Sequence, residues 1–328
     1  MLATVILLIK NGEAYLDEVL AAIYRQDTGF DFQVIAIDSG SQDRSKEILK
    51  RYPVRLVEIA PSTFNHGDTR NLGAHLAGSD TDYLVYLTQD ATPKNEHWLA
   101  SLMAPFFEDE KIAGVFSRHE PRPDSSAALT RQLTTVWQSG SQQRCVKTMP
   151  ADPAIYERDK LFYIYFSDTS SALRRTVWEQ IPFRRLAFAE DADWADRALQ
   201  AGYRIVFEPA SIVIHSHDYS FMEQFRQNAD HTAGMKTLFG PQIISGVQNW
   251  LRLFGGVPRE VWRDWQFTCS EPVFVSQPWR RKAISMFHSP AWHVASALGT
   301  WTGAHLDWLP PQARLALSRQ ERIRKGAP

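Results

Sequence analysis

Acidic side chains follow several apolar segments of the chain, at positions where a carboxylate could bind a metal ion or act as a base. Asp38 directly follows the segment "QVIAI", and Asp90 follows "YLVYLTQ". A carboxylate at the end of a buried strand is costly unless a cation or hydrogen-bond donors lie beside it. A hard divalent ion would meet that need at Asp90. Capping of the following helix is the alternative, since Asp is also a preferred N-cap residue.

A second group of acids opens a predicted helix in the segment "FAEDADWADRAL". Glu190, Asp191 and Asp193 lie in its first turn, where the helix dipole stabilises negative charge. One of them could instead be a general base, which must be a carboxylate within reach of an acceptor hydroxyl. The adjacency of Glu190 and Asp191 does not show which of the two would be the base.

The segment "FNHGDTRNLGAH" crowds polar side chains at the start of another predicted helix. Asp68, Arg70 and Asn71 follow one another closely there. Backbone amides at a helix N-terminus, together with an arginine, favour anions such as a diphosphate. A polar helix cap with an exposed Arg–Asp pair is the alternative.

Two histidines, His215 and His217, end the segment "SIVIHSH". Residues two apart project on the same side of an extended chain, which suits metal binding or a hydrogen bond to a phosphate. Histidines that only support the structure are the alternative.

These side chains need a scaffold, and the first 120 residues predict one. A short Val/Ile/Leu-rich segment is followed by polar or glycine residues and then by a helical pattern, several times in succession. This alternation predicts an α/β fold with a parallel sheet covered on both faces, in which ligands bind at the carboxyl ends of the strands. Asn11, the Asp38–Ser39 turn and Gln89–Asp90 lie at such ends. Neither G-x-G-x-x-G nor a P-loop follows these strands, which argues against a dinucleotide enzyme or an ATPase.

The composition is that of a soluble globular protein. The 328 residues are 44% hydrophobic and 22% charged, with a net charge of -1, which excludes the disordered and fibrous classes. The apolar segments fall short of the roughly 20 residues that a membrane-spanning helix needs, and the first nine residues are typical of a strand rather than a signal peptide. The only two cysteines, Cys145 and Cys269, lack metal-ligand spacing, so a reducing cytoplasm is the expected location.

The order of these segments resembles that of family 2 inverting glycosyltransferases of the GT-A fold, in particular bacterial rhamnosyltransferases that use dTDP-L-rhamnose. The segments "IDSGSQD", "FNHGDTRNLGA", "LTQDA", "FAEDADWADRA" and "HSH" carry the likeness. It implies a Rossmann-like, mixed, mostly parallel sheet flanked by helices over residues 1–220, and a helical, aromatic and basic region over residues 221–328. It also implies transfer of L-rhamnose to a hydroxyl of a glycan or polyprenyl-linked acceptor in the synthesis of a bacterial surface polysaccharide such as O-antigen.

The same resemblance implies roles for individual residues. Asp191 would be the catalytic base, and Asp90 and His215 would bind Mg or Mn at the donor diphosphate, with Arg70 helping to stabilise the departing dTDP. Donor contacts are expected from Asn11, Asp38, Ser39, Asp68, Arg70, Asn71 and Gln89, and acceptor or supporting roles from Glu190, Asp193, Trp194 and His217. The chain departs from the family where Ser39 replaces the second acid of Asp-Asp-Gly-Ser, and where Thr88 replaces the first acid of the usual two-acid metal motif.

The residues beyond Phe221 contain no catalytic motif but interleave Trp and Phe with Arg and Lys. From Ile243 onward there are eleven Lys and Arg against five Asp and Glu. Such segments favour contact with an anionic membrane surface, and the expected location is therefore the cytoplasmic face of the bacterial cell membrane. An ordinary helical subdomain that packs on the core or on a second copy of the chain is the alternative. No nucleic-acid partner is expected, because the basic residues match no binding motif and the preceding part of the chain is acidic.

Three other functions are compatible with parts of the pattern. A family 2 transferase could use a UDP- or GDP-linked sugar instead. A sugar nucleotidyltransferase would need a Gly-rich loop with Lys or Arg after the first strand, which "IKNGEAYL" does not supply. A non-catalytic nucleotide-sugar-binding protein could keep the fold without the reaction.

Overall fold

A computed structural model describes residues 1–240 and 247–318. The chain divides into two compact units. The first comprises Met1–Glu120, Trp137–Leu186 and Glu190–His215, and the second comprises Pro121–Val136, Ala187–Ala189 and Ser216–Pro328. The sequence predicts a boundary at residue 220, whereas this division also assigns two short earlier segments to the second unit.

The first unit is built on a nine-stranded sheet. Its strands are β1 Leu2–Ile9, β2 Asp31–Asp38, β3 Val54–Glu58, β4 Tyr83–Thr88, β5 Thr92–Pro93, β6 Ile112–Glu120, β7 Cys145–Lys147, β8 Ser170–Arg174 and β9 Arg204–Ile214. The strand order is β3-β2-β1-β4-β8-β6-β9-β5, and β7 pairs with β9. Strands β1 to β4 are parallel, and β8 lies antiparallel between β4 and β6. The predicted mixed, mostly parallel sheet is confirmed.

The α-helices are distributed over both units. Those of the first unit are α1 Leu16–Ile23, α2 Ser45–Leu49, α3 His66–Leu76, α4 Trp98–Met103, α6 Pro153–Arg158, α7 Lys160–Ile164, α8 Arg175–Gln180 and α9 Glu190–Gln200; those of the second are α5 Ala127–Arg131, α10 Phe221–Phe239, α11 Val247–Ser270, α12 Pro272–Val275, α13 Trp279–Ala304 and α14 Pro311–Leu317. The helical C-terminal region that the sequence predicts is therefore present.

Strand β1 shows why its sequence is apolar at successive positions. Val5, Ile6 and Leu7 are all fully buried, although neighbouring side chains of a strand point to opposite faces. Both faces of the sheet are therefore covered there, as the sequence predicts for parallel strands between helices.

In the second unit, α10 and α13 approach each other closely at two glycines of α13. A Cβ atom at Gly299 would lie 2.2 Å from the carbonyl oxygen of Phe225, and one at Gly303 would lie 2.2 Å from that of Ala229. Glycine is needed at both positions because no side chain fits against the backbone of α10. Among the described helices, none is both long and apolar enough to cross a membrane.

Candidate active site

The turn after β2 holds the first predicted site residue, Asp38. Its side chain is buried, and Oδ1 accepts hydrogen bonds from the backbone N–H groups of Gly40 and Ser41, each at 2.9 Å. The turn needs glycine at position 40, where φ is 85°. The other carboxylate oxygen, Oδ2, is buried and has no hydrogen-bond partner within the described part of the chain. A buried acceptor of this kind can receive an N–H group from a ligand.

The ends of β1 and β4 are tied together by Gln89. Its Oε1 accepts from the Lys10 N–H at 2.8 Å, and its Nε2 donates to the Lys10 carbonyl at 3.0 Å. Asn11, with φ 49°, accepts from the Gln42 N–H at 2.9 Å and so links the end of β1 to the turn after β2. Both side chains shape the predicted donor site, and direct donor contacts for them remain predictions.

Asp90 and His215 come together because β5 pairs with the end of β9. Thr92 lies opposite Ile214, and this pairing brings Asp90, just before β5, close to His215, just after β9. The distance between Asp90 Oδ1 and His215 Nε2 is 3.5 Å, and both side chains are 20% exposed. One carboxylate and one imidazole are ligands that suit Mn²⁺ or Mg²⁺ when a diphosphate completes the coordination. The two residues therefore fit the predicted metal.

His119 packs against His215, with ring centroids 5.8 Å apart in an edge-to-face arrangement. Burial and the neighbouring His215 lower the pKa of His119 to about 3. His119 is therefore neutral at physiological pH and adds no positive charge beside the Asp90–His215 pair.

The arginine of "FNHGDTRN" lies in a buried ion cluster. Its guanidinium contacts Glu190 through Nη1 and Asp168 through Nε, the latter at 3.1 Å. All three side chains are at most 8% exposed. Burial acts against the Arg70 charge, but Asp168 and Glu190 outweigh it and raise the Arg70 pKa further. A donor contact by Arg70 remains a prediction, since the guanidinium is occupied by these two carboxylates.

Asp191, at the start of α9, adds a third carboxylate to the surroundings of this single arginine. Burial, followed by the charges of Glu190 and Asp168, raises the pKa of Asp191 to about 8. The residue as a whole nevertheless keeps partial exposure to solvent. A carboxyl group with a raised pKa that a substrate can reach has the properties of a general base.

The backbone just before this acid pair is strained. Ala189 has φ 63°, a left-handed conformation that costs a residue with a Cβ atom roughly 1 kcal/mol or more. In the described residues, Asn11 is the only other non-glycine residue with positive φ. Asn11 is itself a predicted donor contact, and Ala189 directly precedes Glu190.

Two other polar residues of α3, Asn71 and Asp68, hold the segment that leads to α9. Asn71 accepts from Trp178 Nε1 at 2.9 Å and from the Phe183 N–H at 3.1 Å, and it donates to the Phe183 carbonyl at 2.8 Å. Asp68 pairs with Arg185 at 2.5 Å. These contacts lie within the chain, and donor contacts of Asp68 and Asn71 remain predictions.

The remaining predicted residues lie in different surroundings. Asp193 is buried and pairs with Arg197 at 2.8 Å. Trp194 is fully buried, and its Nε1 donates to the Ile181 carbonyl at 2.9 Å. These contacts favour a role in packing under the site over contact with an acceptor. His217 belongs to the second unit and stacks on Tyr219, with ring centroids 5.1 Å apart. Ser39 is buried, and its hydroxyl donates to the Ile9 carbonyl at 3.1 Å.

Sequence reasoning missed Asp168. It lies just before β8, and because β8 is antiparallel to β4, the beginning of β8 lies at the edge where β4 ends. The available signal was an acid between the apolar segment "FYIYF" and the strand "SSALR". That signal identifies a site residue only if the strand is known to be antiparallel.

A mixed, mostly parallel sheet with Asp38 and Asp90 after its parallel strands, and with a helix that opens on a Glu–Asp pair, is the arrangement of a GT-A glycosyltransferase. The chain belongs to glycosyl transferase family 2, whose family model matches residues 4–181. It is therefore a glycosyltransferase, as the resemblance implies.

The comparisons with individual proteins point in the same direction. The chain is 28% identical over 305 residues to the O-antigen chain rhamnosyltransferase WbaN of Salmonella anatum, covering 91% of this chain and 88% of that protein. It is also 28% identical over 317 residues to the O-antigen chain rhamnosyltransferase RfbN of Salmonella typhimurium, covering 94% and 92%. Among solved structures, it resembles the mannosyltransferase PcManGT from Pyrobaculum calidifontis in complex with GDP-Man and Mn²⁺, with a TM-score of 0.52, 16% identity and coverage of 99% and 86%.

Proposed function

We propose that the protein transfers L-rhamnose from dTDP-L-rhamnose, with inversion, to a hydroxyl group of a glycan or polyprenyl-linked glycan acceptor. The observation that carries the proposal is Asp191, a partly exposed residue whose carboxyl pKa is raised to about 8. Two relatives that share more than nine-tenths of this chain's length are rhamnosyltransferases of O-antigen chains, which supports this sugar and this class of acceptor.

In the proposed reaction, Asp191 accepts the proton of the acceptor hydroxyl while that oxygen attacks the anomeric carbon. The bond from the anomeric carbon to the diphosphate oxygen breaks, and dTDP leaves with the bonding electron pair, which inverts the configuration. A carboxylate with a raised pKa is a stronger base than an ordinary aspartate, so the proton transfer is more favourable near neutral pH. Asp38 Oδ2 would accept an N–H group of the thymine base.

Asp90 and His215 would hold a divalent ion, Mg or Mn, at the donor diphosphate. When bound, such an ion offsets the negative charge that develops on the departing diphosphate. The contribution of the chain is to place one carboxylate oxygen and one imidazole nitrogen 3.5 Å apart.

The donor is tested by a panel of dTDP-L-rhamnose, UDP-glucose and GDP-mannose, each with and without Mn²⁺. Release of the free nucleotide and thermal stabilisation of the protein are measured for each donor. We expect dTDP-L-rhamnose to give the largest effect in both assays, and a larger effect with Mn²⁺. Stabilisation by a UDP- or GDP-sugar but not by dTDP-L-rhamnose would overturn the rhamnosyl assignment. Binding of a donor without any transfer would favour the non-catalytic alternative.

We also propose that the second unit contacts the anionic inner face of the cell membrane. Helix α13 begins with Trp279, which is 73% exposed, and continues with Ile284 at 68% and Phe287 at 83%. No acidic residue occurs between Glu271 and Asp307, whereas Arg280, Arg281 and Lys282 lie in that interval. Exposed apolar side chains beside unopposed positive charge favour anionic lipid, and the same positive charge would repel a second copy of this surface.

Sedimentation with vesicles tests the membrane proposal. We expect binding to phosphatidylglycerol vesicles, weaker binding to phosphatidylcholine vesicles, and loss of binding in the W279S/F287S double variant. Trp308→Ser is the matched control, because Trp308 is 78% exposed and lies next to the acidic Asp307. Equal binding to both vesicle types, or dimer formation that W279S/F287S abolishes, would contradict the proposal.

A further inference from the structure

The buried ion cluster contains one carboxylate that neither donor binding nor proton transfer uses. Asp168 is 2% exposed, and its Oδ1 accepts a hydrogen bond from the Ser171 hydroxyl at 2.6 Å. Its Oδ2 lies 3.1 Å from Arg70 Nε. A buried charge of this kind is destabilising unless it is paired, so its position beside the candidate base calls for a function.

Arg70 connects Asp168 to the acid pair of α9. One edge of the guanidinium meets Asp168 through Nε, and Nη1 donates to Glu190. Glu190 directly precedes Asp191 in the first turn of α9. An ion pair at one edge of a planar guanidinium restricts its orientation, so Asp168 helps to set the direction in which Arg70 donates its hydrogen bond to Glu190.

The charges of the cluster do not balance. One guanidinium faces three carboxyl groups, those of Asp168, Glu190 and Asp191. Arg70 outweighs the effect of burial at Glu190 and lowers its pKa, whereas burial raises the pKa of Asp168. The negative charges of Glu190 and Asp168 both act on Asp191 and raise its pKa.

We propose that Asp168 is a positioning residue for the catalytic base: through Arg70 it fixes Glu190 at the start of α9, and its negative charge keeps Asp191 a strong base. The inference rests on the proposed function in one respect, namely that Asp191 is the base. It assigns Asp168 no contact with substrate, so Asp168 acts only through Arg70 and through its charge.

Other ionisable groups around the cluster do not supply the same effect. They are His66 on α3, Tyr86 on β4, Tyr165 just after α7 and Arg175 on α8. Burial raises the pKa of both tyrosines, so they stay neutral over the range in which an enzyme of this kind is assayed. His66 and Arg175 can only add positive charge. Asp168 and Glu190 are thus the two negative neighbours that oppose ionisation of Asp191.

The test is the pH profile of kcat/KM from pH 5 to pH 9 for Asp168→Asn, which keeps the shape of the side chain and removes its charge. Because a neighbouring charge shifts a carboxyl pKa by about one unit or more, the ascending limb should move to lower pH by about one unit. The plateau kcat should fall roughly tenfold because a weaker base transfers the proton less well. The KM for the donor should stay unchanged.

Two further variants separate this effect from a loss of packing. Asp168→Glu keeps the charge and should leave the limb near its wild-type position even if kcat falls. Asp109→Asn removes a carboxylate that pairs with Arg204 at 2.6 Å in the same unit, and it should reduce stability without moving the limb. If Asp168→Asn does not fold, Ser171→Ala weakens the stabilisation of the Asp168 charge and should move the limb in the same direction by a smaller amount.

A stability measurement keeps this test distinct from the proposed function. The melting temperatures of wild type, D168N, D191N and the double variant at pH 5 and pH 8 report the titration of Asp191 without any substrate. The positioning proposal would be overturned if, in both D168N and S171A, the ascending limb of the kcat/KM profile and the titration of Asp191 stayed at their wild-type pH. The transferase proposal would then remain intact. Absence of transfer with every donor, combined with a shifted titration in D168N, would overturn the transferase proposal instead.

Discussion

Replacement of Asp191 by asparagine should abolish turnover and, at the same time, make the protein more stable at pH 8. The first effect follows from loss of the base, which should reduce kcat by about 100-fold or more. Donor binding should be retained, since Asp191 is assigned to the acceptor hydroxyl. The second effect follows from the raised pKa of Asp191.

The magnitude of the stability effect can be worked out from the pKa. Asp191 titrates at about 8 in the folded protein, against about 3.9 in an unfolded chain. Between these values the unfolded state has lost a proton that the folded state keeps, so stability falls as pH rises from about 4 to about 8. Each pKa unit corresponds to about 1.4 kcal/mol, which sets an upper bound of about 6 kcal/mol. Partial exposure and proton sharing among the three carboxyl groups reduce this to about 2 kcal/mol.

The assay is thermal unfolding of wild type and D191N at pH 5 and pH 8, beside single-turnover and steady-state transfer rates. D191N should melt a few degrees above wild type at pH 8, with a much smaller difference at pH 5. Asp193→Asn is the matched control, because Asp193 lies on the same helix but is paired with Arg197 at 2.8 Å; it should be less stable than wild type at both pH values. A D191N variant that transfers sugar at near wild-type rates, or that gains equal stability at both pH values, would refute the reasoning.

Three further outcomes are expected. Asp90→Ala and His215→Ala should each reduce the thermal stabilisation that Mn²⁺ gives in the presence of dTDP, because each removes one of two adjacent ligands; unchanged Mn²⁺ stabilisation in both would exclude the site. Asn71→Ala should destabilise the fold by about 1 to 3 kcal/mol in urea unfolding because it leaves the Trp178 and Phe183 donors unpaired, with little change in donor KM; a large KM change with normal stability would show a donor contact. Wild type should become more stable between pH 7 and pH 9, because burial lowers the pKa of Lys147 to about 7 and the unfolded state holds more protons over that interval. Lys147→Met should remove this rise. Parallel pH–stability curves for wild type and K147M would contradict this.

The sequence predicts the first half of the sheet well because each of its strands is a continuous apolar segment. The buried parts of β1, β2 and β4 are apolar at most successive positions, and Asp38 and Asp90 stand out where the apolar segments end. The family relationship and the GT-A fold could be inferred from the same segments.

The pairing of distant segments could not be read from local patterns. That Asp90 meets His215 depends on the two-residue strand β5, which is too short to leave a periodic signal. That Asp168 joins the cluster depends on the antiparallel direction of β8, whereas the sequence pattern in the first 120 residues indicates only parallel strands. The first contact joins residues more than one hundred positions apart, and the second involves Asp168 in irregular chain, where local propensity carries little information.

The polar density of "FNHGDTRN" has a physical explanation other than diphosphate binding. Asn65 donates to the Leu186 carbonyl at 2.7 Å, Asn71 binds both backbone groups of Phe183, and Arg70 holds Glu190. A Cβ atom on Gly67 would lie 2.3 Å from the Arg184 carbonyl oxygen, so glycine is required for the close approach of this backbone to α3.

The N-terminal half of α3 thus binds residues 183–186 and the first residue of α9 through side-chain hydrogen bonds and an ion pair. Irregular backbone of this kind has no hydrogen bonds of its own and must find partners elsewhere, and α3 supplies them with side chains. The position of Asp191 is therefore determined twice, by these backbone contacts and by the Arg70–Glu190 pair. This double constraint can sustain the strained φ of Ala189 next to the base, because a sparsely populated conformation persists only where the surrounding structure over-determines it. The polar side chains of this motif thus have structural partners at the start of α9, next to the proposed base.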